Sequence, residues 1–213
     1  MDGMDTIRSH HIRFGNWKVY SSDDNFSFRA DSTYITVWNS RLYTGLGIAI
    51  GSIGQYYGRF ETVERISVEN VCFKTWTVEQ NKYPPNGGGG GYGYAKNSYF
   101  KNLTVKDLTG AAVSIGQCTH FNGAPGASNC TSSLFQLLDI TVEDFHRTTT
   151  SPRVGSFQCS AVKSCTNIGL LDIDFEFDNG TVAPDYLCGH VAEPRGWNRT
   201  GSVCEKSSAI GEC

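Results

Sequence analysis

Six short runs of alternating apolar and polar residues recur along the chain, and each run closes on asparagine or aspartate. The period of two indicates β-strands, and the closing residues are ones that favour turns. A strand unit that returns after roughly twenty residues or more is typical of a parallel β-helix. The runs begin at Ile12, Ile35, Ile66, Ser98, Ile140 and Ile168, and they end at Asn16, Asn39, Asn70, Asn102, Asp144 and Asp172.

The spacing between these runs is uneven, from 23 residues between Ile12 and Ile35 to 42 between Ser98 and Ile140. Uneven steps indicate loops of different length on the coils of one solenoid. A β-sandwich is the structural alternative, but its turns recur about every eight to twelve residues. The pattern therefore predicts an all-β chain with a single domain, a partial parallel β-helix over residues 1–213 that ends in a turn-rich tail at about residues 186–213.

The composition narrows the class of partner. The chain has 213 residues and a net charge of -3, and its lysines and arginines are scattered rather than clustered. We therefore expect no nucleic-acid partner. No stretch is long and apolar enough to cross a membrane, so we expect no membrane contact either. The 24 glycines and the 12% of aromatic residues suit a turn-rich all-β protein or a carbohydrate binder.

Eight cysteines indicate an oxidising environment. Two pairs close short loops and are candidate disulfides, whereas three cysteines of the C-terminal tail have no deducible connectivity. Cys72 lies in an apolar strand, where the pattern predicts a buried free thiol. The paired candidates are Cys118 with Cys130 and Cys159 with Cys165, and the tail cysteines are Cys188, Cys204 and Cys213.

Five N-glycosylation sequons occur along the chain, and with the cysteines they favour an extracellular, secreted protein. The first residues carry neither a basic region nor an apolar core of an export signal. We therefore expect the N-terminal part of the protein, with its signal peptide, to lie outside this chain. One sequon begins at Asn25, and the candidate glycosylation sites are Asn102, Asn129, Asn179 and Asn198.

The acidic pair Asp23-Asp24 interrupts a run that otherwise reads as a strand. A surface turn is one interpretation, and a calcium site is another. Asp2 precedes Asp23 by 21 residues, close to the shortest repeat step, so a β-helix would stack the two acids one coil apart. Such a cluster suits glycoside hydrolysis, because crowded carboxyl groups supply one protonated acid and one ionised base.

Four motifs in this order resemble those of the polygalacturonases of glycoside hydrolase family 28. Asp2-Gly3 matches the end of N-T-D-G, and Asp23-Asp24 matches D-D. The stretch 45–56 resembles G-H-G followed by G-S-x-G, and the stretch 73–76 lies where R-x-K is found. The similarity covers nearly the whole chain and is greatest to fungal exo-acting members.

The resemblance implies a right-handed, single-stranded parallel β-helix that lacks its N-terminal coils here. It implies an exo-polygalacturonase that hydrolyses the pectin backbone with inversion. By the same resemblance Asp23 is the general acid, and Asp2 and Asp24 position and deprotonate the attacking water. The implied substrate is a pectic polysaccharide or oligosaccharide, and we expect a monomer without metal or cofactor.

Three further residues are implied to bind the substrate. Lys74 would hold the uronate carboxylate as a compact positive charge. Gln55 and Tyr56 belong to the stretch that resembles exo-acting members, and Tyr56 is a candidate platform for a sugar ring.

The chain departs from the family pattern at four positions. Leu46 replaces the histidine of G-H-G, Cys72 replaces the arginine of R-x-K, Asn25 replaces the usual cysteine, and Met1 occupies the threonine position of N-T-D-G. A lysine without the arginine and histidine is similar to relatives that cleave rhamnogalacturonan. The alternatives are therefore such a relative, or a degenerate β-helix that binds pectin without cleaving it.

Overall fold

Two sheets enclose one apolar interior in the computed structural model, which describes residues 1–73, 76–80, 90–105, 108–116 and 133–203. Within these ranges the chain forms fifteen strands and no helix, so no helix there is long and apolar enough to span a membrane. The first sheet contains β1 (Asp5–Thr6), β4 (Asp24–Phe28), β6 (Gly47–Ile53), β8 (Trp76–Gln80), β10 (Val113–Gly116), β12 (Arg153–Gln158) and β14 (Asp185–Gly189), in that order.

The second sheet alternates with the first along the chain. Its strands are β2 (His10–Gly15), β5 (Ser32–Leu42), β7 (Phe60–Phe73), β9 (Tyr92–Val105), β11 (Leu134–Thr148), β13 (Cys165–Glu176) and β15 (Val191–Ala192), with the short β3 (Lys18–Val19) beside β5. Neighbouring strands of both sheets are parallel. Each coil therefore contributes one strand to each sheet, which confirms the predicted parallel β-helix.

The asparagine and aspartate residues that close the sequence runs form a stacked corner. All six have left-handed φ angles, from 49° at Asn39 to 61° at Asn16. Asparagine and aspartate tolerate this conformation better than other residues with a Cβ. The Asn70 amide donates to Asn39 Oδ1 over 3.2 Å, and the Asn102 amide donates to Asn70 Oδ1 over 2.6 Å. The corner is therefore set both by backbone preference and by hydrogen bonds between coils.

The interior is filled by the inward residues of both sheets. Phenylalanines from different coils contact one another, with ring centroids 5.5 Å apart for Phe73 and Phe145 and 4.9 Å apart for Phe145 and Phe175. Burial of such rings is the main favourable contribution to folding. The fully buried aromatic side chains include Phe26, Phe28, Phe73, Phe100, Phe135, Phe145, Phe157 and Phe175.

The cysteine predictions divide into three groups. The disulfide between Cys159 and Cys165 is confirmed. Cys72 and Cys188 form no disulfide with another described residue. The prediction that Cys72 is buried is wrong: it is partly exposed, because it points outward from β7 between the inward residues Val71 and Phe73. The predictions for Cys118, Cys130, Cys204 and Cys213 lie outside the described residues.

Candidate active site

The turns that lead into the first sheet bring the predicted acids together. Asp23 and Asp24 lie where the chain passes from β3 to β4. The backbone N–H of Gly3 donates to the Asp24 carbonyl over 2.7 Å, and that of Ser22 donates to the Met1 carbonyl over 3.3 Å. Asp2 lies between these two contacts, so the spacing of one coil places it directly beside the Asp23-Asp24 pair.

Asp23 is held at the surface by hydrogen bonds to its side chain and to its backbone carbonyl. Its Oδ1 accepts the N–H of Asp24 over 3.0 Å, and its carbonyl accepts the N–H of Leu46 over 2.9 Å. Asp23 is exposed, whereas Asp24 and Asp2 are half-buried. Asp23 is therefore the most accessible of the three acids, and the two others lie deeper in the turn.

Asn25 locks the acidic turn to the turn of the next coil. Its side chain is fully buried, its Nδ2 donates to Ser21 Oγ over 2.8 Å and to the Thr44 carbonyl over 2.7 Å, and its Oδ1 accepts the N–H of Gly47 over 3.0 Å. The residue at the position of the family cysteine is thus structural. Because its amide is buried and bonded, the sequon at Asn25 is not available to a glycan in this structure.

Arg29 contacts the cluster from the far end of β4. Its Nη2 donates to Asp2 Oδ2 over 2.5 Å, its Nε donates to Ser27 Oγ over 3.0 Å, and Nε lies 3.4 Å from Asp5 Oδ1. The pKa of Asp5 is raised, first by burial and then by its hydrogen bond with Asp2, although the charge of Arg29 opposes the rise. The site therefore holds a fourth carboxyl group, and its pKa lies above the ordinary value.

Sequence reasoning did not single out Arg29 or Asp5. The signal was present, because Asp5 stands 22 residues before Ser27 and the two are Cα partners in neighbouring strands. In β4 the residues Phe26 and Phe28 point inward, so alternation places Ser27 and Arg29 on the outward face with Asp5.

A surface pocket of about 340 Å³ opens beside Asp2. The exposed ring of Tyr20 at its edge stacks on Tyr43, with ring centroids 4.6 Å apart and planes 5° apart. The lining residues are Met1, Asp2, Tyr20, Ser21, Ser22 and Thr44. Hydroxyl groups, a carboxylate and an aromatic ring are the groups that bind sugars in protein sites.

Two of the predicted substrate-binding residues, Gln55 and Tyr56, are not beside the acids. Gln55 and Tyr56 follow the far end of β6, a strand of seven residues that begins next to Asp24. Such a strand is roughly 20 Å long. Tyr56 is exposed, with the Arg59 guanidinium 5.8 Å from its ring centroid. Their role in substrate binding stays a prediction, and the prediction for Lys74 lies outside the described residues.

The glycosylation candidates differ in their surroundings. Asn179 is exposed, and its Oδ1 accepts the backbone N–H and the hydroxyl of Thr181 over 3.0 and 2.7 Å. Asn198 is exposed, and Asn102 belongs to the asparagine corner. Asn129 lies outside the described residues. Among the residues that are described, no group of three or more His, Cys, Asp or Glu side chains is arranged to hold a metal ion.

A parallel β-helix with neighbouring carboxyl groups at the edge of one sheet defines the class as a candidate glycoside hydrolase. The chain belongs to glycosyl hydrolases family 28, whose sequence profile matches residues 1–191. This confirms the resemblance that the four sequence motifs indicated.

The chain is similar to several fungal glycosidases. It is 49% identical to the alpha-L-rhamnosidase rgxB of Aspergillus niger, a match that covers 100% of this chain and 51% of that protein. It is 33% identical to a putative galacturan 1,4-alpha-galacturonidase A of the same species, over 88% of this chain and 48% of that protein. The chain thus spans about half the length of the curated relatives that it matches.

A solved structure has the same fold. The endo-xylogalacturonan hydrolase from Aspergillus tubingensis superposes with a TM-score of 0.78 over 95% of this chain and 53% of that one, at 21% sequence identity. At this identity the likeness supports the β-helix and carries no statement about substrate.

Proposed function

We propose that the whole protein is a secreted glycosidase that cleaves rhamnosyl linkages of the pectin backbone with inversion. The observation that carries this proposal is the position of Asp2, one coil away from Asp23 and Asp24, between two residues whose backbones bond to their turn. Three carboxyl groups at one sheet edge supply the acid and the base that hydrolysis of a glycosidic bond needs. Membership of family 28 supports the same reaction type.

The catalytic roles proposed for the three acids follow from how exposed each side chain is to solvent. Asp23 donates its proton to the leaving oxygen as the bond from the anomeric carbon to that oxygen breaks. Asp2 and Asp24 hold a water molecule on the opposite face of the sugar and accept the proton that this water loses as its oxygen bonds to the anomeric carbon. Asp23 gives up one proton and the pair Asp2 and Asp24 accepts one. The number of protons on the three carboxyl groups is therefore the same before and after each turnover.

The choice of a rhamnosyl linkage is supported by the residues at positions where the chain departs from the family motifs. Leu46, in the place of the family histidine, is 48% exposed and bonded through its backbone to Asp23. Cys72 replaces the arginine that would grip a uronate, and Arg29 is engaged with Asp2 and Asp5. An apolar side chain beside the acid suits a 6-deoxy sugar, whose C6 is a methyl group. The 49% identity to an alpha-L-rhamnosidase supports the same choice.

The second candidate is an exo-acting galacturonidase. It is favoured by the relatives named galacturonidase or exopolygalacturonase, which are 30–34% identical to the chain, and by Lys74, a cation suited to a uronate. A galacturonidase would release galacturonic acid from oligogalacturonates, whereas the first candidate would release rhamnose.

The test is to incubate the full-length protein with rhamnogalacturonan oligomers that end in rhamnose and, separately, with oligogalacturonates. We expect free rhamnose from the first substrate and little galacturonic acid from the second. Proton NMR of the first product formed would show the anomer opposite to that of the bond cleaved, as inversion requires. Release of galacturonic acid alone would favour the second candidate, and binding of either oligomer without any product would contradict both.

A further inference from the structure

Arg29 contacts two carboxyl groups of the cluster and two different strands. It lies just after β4, on the outward face of the first sheet, with its side chain 29% exposed. We propose that Arg29 is a positioning residue for hydrolysis, because its guanidinium fixes Asp2 as an ionised carboxylate in one orientation beside the attacking water. This inference rests on the proposed function for the reaction that it serves.

The guanidinium group is itself anchored. Its Nε donates to Ser27 Oγ over 3.0 Å, and the Ser27 hydroxyl donates to the carbonyl of Gly51 on β6 over 2.5 Å. Ser27 is fully buried, so this end of the guanidinium does not move freely. The other end donates from Nη2 to Asp2 Oδ2. A planar cation that is held at one edge fixes the direction of the carboxylate at its other edge.

Asp5 completes the arrangement from β1. Its pKa is raised first by burial and then by its hydrogen bond with Asp2, and the charge of Arg29 opposes that rise. A cation at this distance favours the ionised form of the carboxyl groups that it contacts. A group that holds the attacking water must be ionised, because a protonated carboxyl group would not accept a proton.

Three other carboxyl groups lie near Asp2. Asp23 and Asp24 lie on the adjoining turn, and Asp5 lies on the same coil. The Met1 amino group, a second cation, donates to Ser22 Oγ nearby. Neighbouring carboxyl groups repel one another when ionised. Arg29 offsets this repulsion, and a substitution that removes its charge would move the ionisation of the cluster to higher pH.

The test compares Arg29→Met and Arg29→Lys with Arg13→Met, a change of an exposed arginine on β2 in the other sheet. The full-length protein is assayed on whichever pectin oligomer it cleaves. We expect Arg29→Met to lower kcat about 100-fold with KM within about threefold, and to move the acidic limb of the kcat profile to higher pH. Arg29→Lys should restore the position of that limb but only part of kcat, since lysine lacks the planar fork.

A second measurement does not depend on turnover. The side-chain carboxyl carbons of the aspartates are followed by ¹³C NMR as pH is varied, in the wild type and in Arg29→Met, with the signals of Asp2 and Asp5 assigned from Asn variants. We expect both signals to titrate at higher pH in Arg29→Met. If the wild type cleaves neither oligomer but the NMR shift appears, the proposed function fails and the electrostatic role of Arg29 stands. An unchanged pH profile and an unchanged titration would overturn the inference.

Discussion

The α-carbon of Gly45 lies so close to Asp23 that no side chain fits between them. A Cβ at Gly45 would stand 2.2 Å from the Asp23 carbonyl oxygen and 2.4 Å from Ser21 Oγ, and the φ angle of Gly45 is 94°. The backbone that presents the proposed general acid is therefore fixed by a contact with the next coil. Glycine is needed here both for its conformation and for the space.

Gly45→Ala should displace the proposed acid. We expect kcat of the full-length protein to fall about 100-fold, since the backbone of Asp23 must shift to admit the methyl group. The matched control is Gly58→Ala, where φ is also positive, at 68°, but no atom lies within 4 Å of the new Cβ. The control should lose about 1 kcal/mol of stability from strain and keep its activity. Equal kcat values for the two variants would contradict the role of this contact.

Asn25→Ala should destabilise the fold at the active-site turn. The change removes three hydrogen bonds and leaves the N–H of Gly47 without its acceptor in a buried position. We expect a loss of about 2–4 kcal/mol in the free energy of unfolding, measured by urea titration. The exposed Asn198→Ala serves as the control and should change stability by less than about 0.5 kcal/mol. An Asn25→Ala protein as stable as the wild type would argue against the lock between the two turns.

Removal of the Cys159–Cys165 disulfide should have a moderate cost. The bridge closes a short loop with a sequence separation of 6, and both cysteines are buried. For so short a loop the chain-entropy model gives about 2 kcal/mol. The double variant Cys159→Ala/Cys165→Ala should therefore unfold at lower urea concentration with an unchanged slope. A midpoint equal to that of the wild type would show that the bridge does not constrain the unfolded chain.

Glu61 makes the stability of the chain depend on pH. Its side chain is buried, its Oε2 accepts the N–H of Gly54 over 2.8 Å, and burial raises its pKa above the ordinary value. The folded state thus binds this proton more tightly than the unfolded state does. The contribution of Glu61 to stability is fully present below about pH 4.5 and is lost as the pH rises through the folded pKa.

Glu61→Gln should remove this dependence, because glutamine is neutral and keeps an oxygen for Gly54. We expect the variant to gain stability relative to the wild type as the pH is raised from 4 to 7, in urea titrations at several pH values. Glu193→Gln, at an exposed glutamate, is the control and should follow the wild-type curve. Parallel curves for the wild type and Glu61→Gln would contradict the raised pKa.

The fold could be predicted from the sequence because the corner of each coil requires a residue that tolerates a left-handed conformation. A left-handed corner repeated in each coil selects asparagine or aspartate, and residues such as Asn39 and Asn70 therefore mark the repeat even though the loops between coils differ in length. The partial exposure of Cys72 could not be predicted in this way. An apolar strand next to a corner has one inward and one outward face, and a single sequence does not show on which face a cysteine lies.

Part of the candidate active site could be predicted from the sequence. The coil spacing placed Asp2 beside Asp23, and backbone contacts in the structure join these segments. The position of Arg29 could not be predicted in this way, because its ion pairs join it to Asp2 and Asp5 of the preceding coil. The structural role of Asn25 could not be predicted either, because its side chain bonds to Thr44 and Gly47 in the turn of the next coil.

The most direct test of the account is the change Asp23→Asn in the full-length protein, with Asp178→Asn at an exposed position as the control. The measurement is the rate of monosaccharide release, together with the dissociation constant of the same oligomer by calorimetry. If Asp23 is the general acid, kcat falls by about 10³-fold or more while the dissociation constant changes little, because asparagine keeps the shape but donates no acidic proton. Turnover within tenfold of the wild type would contradict the assignment of Asp23 as the general acid.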